Sequence, residues 1–329
     1  RYPKFFGSLS FDKDETQYLY FEDKSGYLFP EISRNVLGER IIGSTISAGG
    51  STIEFCLKVP GGETFQDQVI FQKLNSTNNH GISIFASGSS NSATETDLIF
   101  ALSSGSNSYL SASMTLSKGA FHHCAFVYDN DSNQTLRLFL DGVQKSNSDN
   151  EDFGKLDFMN TYVYIGSGSS HEFGTTDRME PKETFSGSLD ELRVWDYPRT
   201  LQQIKSFRNR NVFADDSLSL YYRFNEPTGS YSSKAICLDH SGNGLHGQIQ
   251  NYTNVMRVDS GYSSSLAYER SEDNPVLFPD YPSLVSLNSR LLLSASKYDI
   301  NNPNLITKLV PHHYFLEGQA EEGMEEVDG

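Results

Sequence analysis

The sequence predicts an all-β chain: an antiparallel two-sheet jelly-roll sandwich over residues 1–210, added strands at 211–260, and a partly helical docking extension with an acidic tail at 261–329. Three observations carry this. The 18 Tyr, 22 Phe and 26 Gly, with long Ser/Asn/Thr/Gly stretches between short apolar runs, favour strands and turns over helices. From Leu9 to Tyr164 the apolar runs are short and broken by turn residues, as a meander or jelly roll requires. Leu189 to Trp195 alternates apolar and polar side chains at period two, which marks a strand with one buried face.

In chain order, strands are predicted at 18–21, 52–59, 68–74, 81–86, 97–102, 120–129, 135–140 and 162–165. Within 120–129, His123, Ala125 and Val127 alternate with Cys124, Phe126 and Tyr128, so the two sets occupy opposite faces of a central strand. The turn-rich Asp129-Asn130-Asp131-Ser132-Asn133-Gln134 predicts a hairpin. Leu136, Leu138 and Leu140 then share a face, and Asp141-Gly142 supplies a left-handed turn. Gly187 permits a close backbone approach where the 189–195 strand enters its sheet. Thr200 is placed to N-cap a short helix in which Leu201, Ile204 and Phe207 recur at helical spacing. Further on, Leu284, Leu287, Leu291, Ala295 and Tyr298 predict a helix over 282–298 behind Pro282, and a shorter one is read at 304–309 before Pro311. The end, 317–329, carries six acids and no base, as a solvated tail or connector does.

With 42 acidic against 26 basic side chains, the net charge of −16 opposes binding along a phosphate backbone or an anionic membrane. No run reaches the ~20 apolar residues that span a bilayer. The chain opens on Arg1 without a signal-peptide pattern, which reads as a piece of something longer or a processed product. Cys56, Cys124 and Cys237 match neither a disulfide-dense scaffold nor the spacing of a zinc site, and read first as small buried hydrophobes.

The runs 119–129, 136–143, 164–166 and 185–196, preceded by Ser51-Thr52-Ile53-Glu54-Phe55-Cys56-Leu57-Lys58, resemble the laminin-G-like, pentraxin-type (concanavalin A-like) jelly roll over residues 15–210. The resemblance implies a binding or structural module rather than an enzyme. It also sets Cys56 and Cys124 where pentraxins carry a cross-strand disulfide; a pair of reduced thiols is the alternative. Pentraxin calcium sites use a Glu-Gln-Asp cluster where this chain has Gly166-Ser167-Gly168-Ser169-Ser170-His171-Glu172, so no calcium or other cofactor is carried over. Residues 220–226 and 239–247 look like the opening of a second such jelly roll. Too little chain follows to complete one, so they add strands to the first sandwich or cross to a neighbour. Residues 274–314 are similar to segments of tailed-phage virion proteins that carry laminin-G-like domains.

No catalytic set emerges. Asp190 and Glu191 are adjacent on a strand and so should face opposite ways, unlike the paired acids of glycoside hydrolysis. Neither His122-His123 nor His312-His313 can grip one ion alone. Asp129, Asp131 and Asn133 lack the Gly and Glu of a calcium loop. For glycans, loop aromatics would stack on sugar rings, with Tyr109, Phe173, Tyr231 and Tyr252 as candidates, and the long 167–184 loop as the place to look for a binding edge. The resulting expectation is a non-enzymatic virion structural protein assembling through its C-terminal extension with other virion proteins or copies of itself. The alternative is a carbohydrate-binding adhesin or receptor-binding module at an extracellular or virion surface, taking surface glycans. Nucleic acid and membrane are not expected partners.

Overall fold

The computed structural model describes residues 7–23, 50–75, 79–105, 108–129, 134–150, 153, 162–174, 178–208, 212, 217–226, 235–258 and 261–262. The predicted C-terminal helices, the acidic tail and the stretch 274–314 lie outside them. In chain order the strands are β1 (Ser8–Phe11), β2 (Tyr18–Glu22), β3 (Gly50–Lys58), β4 (Gln68–Leu74), β5 (Gly81–Asn91), β6 (Glu95–Gly105), β7 (Ser108–Ser117), β8 (Phe121–Asp129), β9 (Thr135–Leu140), β10 (Val143–Asp149), β11 (Tyr162–Ile165), β12 (His171–Glu172), β13 (Arg178–Met179), β14 (Gly187–Trp195), β15 (Leu218–Tyr222), β16 (Ile236–Cys237), β17 (Gly247–Gln250) and β18 (Arg257–Val258), with helix α1 at Leu201–Phe207.

They form the two large antiparallel sheets of a jelly-roll sandwich. The first runs β10-β9-β8-β3-β14-β1-β18, with β15 also on β14; the second runs β16-β17-β2-β11-β4-β5-β6-β7; β12 and β13 make a separate hairpin. Strands β15 to β18, beyond the helix, thus pair into both layers, against β14, β2 and β1. Alternation works as period-two chemistry demands. Cys124, Phe126, Tyr128, Leu136, Leu138 and Leu140 face the inter-sheet core, together with Ile53, Phe55 and Leu57. Ala125, Val127 and Phe139 face outward, where Ile204 of α1 caps them. That helix starts in a capping box: Gln203 N donates to Thr200 Oγ1 (3.3 Å) and Thr200 N to Gln203 Oε1 (2.8 Å). Only Ile204 of the three expected apolar positions is fully covered; Leu201 and Phe207 are 42% and 39% exposed, so the helix is held by one anchor and its ends.

Two glycine-dependent turns behave as their sequence implies. Asp141 and Gly142 both take positive φ (52° and 76°), closing the β9–β10 hairpin. At Gly187, φ is 153° and a Cβ would meet Phe185 Cζ at 2.4 Å and Lys58 O at 2.6 Å, so only glycine lets β14 enter beside β3.

One open alternative is decided and one expectation is corrected. Cys56 and Cys124 are free thiols, the reduced pair of the two readings. They cannot bridge because Cys56 stands opposite His123 and Cys124 opposite Phe55, one register step apart on opposite faces of the sheet. Burial pushes both thiols far up in pKa, and each is inert packing. Asp190 and Glu191 do not face opposite ways. The β14–β3 register slips between Asp190 and Arg193, Glu191 takes φ +53°, and Leu189 and Leu192 both enter the core. This bulge turns Asp190 and Glu191 together onto the outer face. There Glu54, Glu191, Arg193, Arg199, Trp195, Tyr221 and His123 pack as a buried polar layer. Glu54 Oε1 accepts from Trp195 Nε1 (2.9 Å) and Arg199 Nη1 (2.5 Å), and Glu191 accepts from Arg193 and the Tyr221 hydroxyl. Glu54 and Glu191 are thus each matched to a cation, an indole N–H or a hydroxyl in one structural network.

Candidate functional site

Residues 167–174 and 178–184 lie after β11 and fold back across the outer face of the second sheet. Their base is fixed by Gln72, whose side chain accepts from Ser169 N (2.7 Å) and donates to Ser169 O (2.9 Å) and Ser83 Oγ (3.0 Å). Gly168 lies against that amide, where a Cβ would be 2.5 Å from Gln72 Oε1. The excursion then forms the β12–β13 hairpin, with His171 opposite Met179 and Glu172 opposite Arg178. Met179 and Phe173 pack down on Val69, Phe85 and Ala101, with Ile99 and Tyr109 at the margin. The Phe85 and Phe173 rings lie 5.9 Å apart at 48°. The hairpin's far end is tied back by Glu183, which accepts from Gln66 N (2.9 Å) and Gln68 Nε2 (2.8 Å).

A cleft of about 760 Å³ opens between this hairpin and the outward face of β5, β6 and β7. Its floor is Phe85, Phe173 and Ile99, and its walls carry the hydroxyls of Ser87, Ser89, Ser111 and Ser113 beside Asp67, Arg178, Glu180 and Lys182. The charges balance. Glu180 is clamped between Arg178 and Lys182, the latter at 2.9 Å, and Asp67 Oδ1 accepts from Gly88 N at 2.7 Å. An aromatic floor with a rim of hydroxyls and paired ions suits a polyhydroxylated, uncharged ligand.

Of the sequence candidates, Phe173 and Tyr109 come together on this cluster, Phe173 as a buried part of the floor and Tyr109 half-buried beside it. Tyr252 is elsewhere, half-buried against the main core, and Tyr231 lies outside the described residues. Sequence reasoning missed the polar wall of β7. Leu110, Ala112, Met114 and Leu116 point inward while Ser111, Ser113 and Thr115 point out. The alternation is there, but serine-rich composition disguises it as loop.

His171 anchors the hairpin. It is fully buried, Nε2 sits 2.7 Å from Ser103 Oγ, and Ser103 Oγ is 3.1 Å from His80 Nδ1. Burial, and to a smaller degree His80, lowers its pKa to about 3, so the folded protein holds a neutral imidazole. Because an unfolded histidine titrates near 6.5, the unfolded chain takes up this proton first as pH falls. The stabilisation is complete above pH ~6.5 and is lost toward pH ~3, with a slope of about 1.4 kcal/mol per pH unit. Calorimetry from pH 7 to pH 4 should therefore show a shallower fall in stability for His171→Asn than for the natural chain; parallel curves would contradict a neutral buried His171.

Among the described residues no group of three or more His, Cys, Asp or Glu side chains is arranged to hold a metal, and no helix is long and apolar enough to cross a membrane. Comparison with solved structures finds a protein from Bacteroides ovatus ATCC 8483 named for carbohydrate binding, at 15% identity and TM-score 0.47, covering 74% of this chain and 58% of that one. A heptameric SAP-like pentraxin from Limulus polyphemus is similar at 17% identity and TM-score 0.42, covering 64% of this chain and 88% of that one. The present chain thus spans 58% of the length of the first. No curated protein matches. The model of the concanavalin A-like lectin/glucanases superfamily matches residues 40–205, about half of the 329 residues, and the chain belongs to that superfamily.

Proposed function

We propose that the protein is a non-catalytic carbohydrate-binding module that takes an uncharged stretch of glycan in the cleft beside the β12–β13 hairpin. The observation that carries this is the cleft's chemistry: phenyl rings below, with serine hydroxyls, Asp67 and the paired Arg178, Glu180 and Lys182 around them. Membership of a superfamily of lectins and glucanases agrees with a sugar ligand. Binding is favoured over hydrolysis because both cleft carboxyls are engaged within the protein, Glu180 by Arg178 and Lys182 and Asp67 by Gly88 N, whereas glycoside hydrolysis needs a carboxyl pair directed at the substrate. The network around Glu54 and Glu191 is buried, and its Arg193 and Arg199 donate to the Phe207 and Gln203 carbonyls of α1.

The test is a glycan array followed by calorimetry on hits. Ser113 is an exposed wall residue, so Ser113→Trp fills the cleft without touching the core. It should abolish binding of a short oligosaccharide that occupies the cleft, while Arg178→Ala should weaken it by about ten-fold, the cost of a contact worth ~1.4 kcal/mol. Unchanged affinity in Ser113→Trp, or turnover of the bound glycan, would overturn the reading. As its setting we propose an extracellular or virion surface. A virion structural role, with assembly through the C-terminal extension, is a second proposal that rests on the sequence resemblance of residues 274–314 alone. Sedimentation of the chain truncated after residue 262 would test it, since that role requires self-association or partner binding to be lost.

A further inference from the structure

The other half of the second sheet's outer face carries a feature that the cleft does not use. Tyr18 and Tyr20 on β2 and Tyr162 and Tyr164 on β11 all project outward, because Leu19, Phe21, Val163 and Ile165 between them fill the core. Register sets Tyr164 opposite Tyr20, and the rings form one contiguous layer. Centroids are 5.9 Å apart for Tyr18–Tyr20, 6.2 Å for Tyr18–Tyr164, Tyr20–Tyr162 and Tyr162–Tyr164, and 6.4 Å for the stacked Tyr20–Tyr164 pair. None is fully covered, and Tyr162 is 44% exposed. On the next strand Gln248 and Gln250 stand opposite Tyr20 and Tyr18 and face the same way. The Tyr20 hydroxyl donates to Gln248 Oε1 at 3.0 Å, which leaves the Gln248 amide NH₂ directed to other acceptors. Outward positions of β2, β11 and β17 include one acid, Glu22, and neither Lys nor Arg. The excursion at 167–173, seated on Gln72, Ser103 and Phe85, separates this layer from the cleft.

We propose that the tyrosine layer is a second carbohydrate surface, on which an extended, uncharged glycan lies with its sugar rings on the phenols and its hydroxyls on the glutamine amides. This rests on the reading of the domain as glycan-binding, but on different residues. Tyrosine supplies rigid amphipathic area at low entropic cost, and the absence of cations disfavours anionic polymers. Cross-strand aromatic pairs also stabilise a sheet, so folding and binding must be read separately.

The full chain, Tyr20→Ala/Tyr164→Ala, Tyr20→Phe/Tyr164→Phe and the cleft-filling Ser113→Trp are compared on barley β-glucan, xylan, galactomannan and pullulan. Affinity electrophoresis reads binding, circular dichroism reads folding, and sedimentation reads association. The alanine pair should lose about ten-fold or more in affinity for a polysaccharide that Ser113→Trp still retains, with the phenylalanine pair close to the natural chain. Should the alanine pair unfold, the exposed Tyr162→Ala takes its place. Natural-chain affinity in the alanine variants, or Ser113→Trp alone abolishing all binding, would overturn the tyrosine surface and leave the cleft standing. Loss of self-association with unchanged glycan binding would overturn it in favour of an interface between copies. If the natural chain retains none of the polysaccharides, both readings fall. A loss confined to the tyrosine variants would sink the cleft and uphold this surface.

Discussion

Replacing Arg193 with leucine is expected to destabilise the protein by about 3–5 kcal/mol, because it removes the cation that two buried carboxylates share. Arg193 is 1% exposed, its Nη2 is 2.5 Å from Glu191 Oε2 and its Nη1 is 3.5 Å from Glu54 Oε1; Nη1 also donates to Phe207 O at 3.1 Å, which fastens the end of α1. In a domain of this size the loss corresponds to a melting-point drop on the order of 10 °C. The pH dependence should follow Glu54. Burial alone would raise its carboxyl, yet His123, Arg199 and Arg193 outweigh burial and hold it far below the usual carboxylate range. For an acid depressed in the folded state, stabilisation is whole above the unfolded value of ~4.3 and drains away as pH falls below it. Acid unfolding followed by circular dichroism should thus begin below pH ~4.3 for this group, and Glu54→Gln should flatten that limb. An Arg193→Leu variant within ~1 kcal/mol of the natural chain would mean the layer is not the clamp described.

Asp239→Ala is expected to cost about 3 kcal/mol or more, since several buried donors lose their acceptor together. The Asp239 carboxylate accepts from Tyr221 N (3.0 Å), Ser241 N (2.9 Å), Ser241 Oγ (2.9 Å) and Leu245 N (3.0 Å). It thereby locks the 239–247 loop that delivers β17 to β2. Burial raises its pKa in spite of those four donors, so the site is held by hydrogen bonding and not by charge pairing. Chemical denaturation should show one transition moved to lower denaturant, because β15 to β18 are integral to both sheets. A variant in which only residues 218–258 gain hydrogen exchange, with the global midpoint unchanged, would show that these strands are an appendage.

Much of the sandwich was legible because burial on one face writes itself into alternate residues. The 52–59, 120–129, 135–140 and 189–195 runs all lie in the first sheet or its immediate ends, and the Asp141-Gly142 turn takes the backbone its residues prefer. Strands β7 and β10 were not, since serine and asparagine on the outer side mask the pattern. The Asp190–Glu191 bulge has no local signal: it comes from β14 carrying one residue more than its partner β3 needs, a property of the pair. The same holds for the Glu54 layer, whose members come from β3, β8, β14, β15 and the segment before α1 that carries Arg199. For the site, the excursion at 167–184 was visible through its length and Phe173 through its setting. The tyrosine layer was missed because stacking aromatics were expected on loops. Its signal stood in the strands, in Tyr18-Leu19-Tyr20-Phe21 and Tyr162-Val163-Tyr164-Ile165, where tyrosine takes every outward position beside an apolar inward one.

The most direct measurement is amide chemical-shift mapping of the full chain titrated with a glycan selected on the array. Binding in the cleft should move signals from Ser87 to Ser89, Ser111 to Ser113 and the β12–β13 hairpin, and leave the outer side of β3, β8 and β14 still. Shifts concentrated on that opposite side, or no saturable shift with any glycan, would contradict the assignment of this protein to sugar recognition at the second sheet.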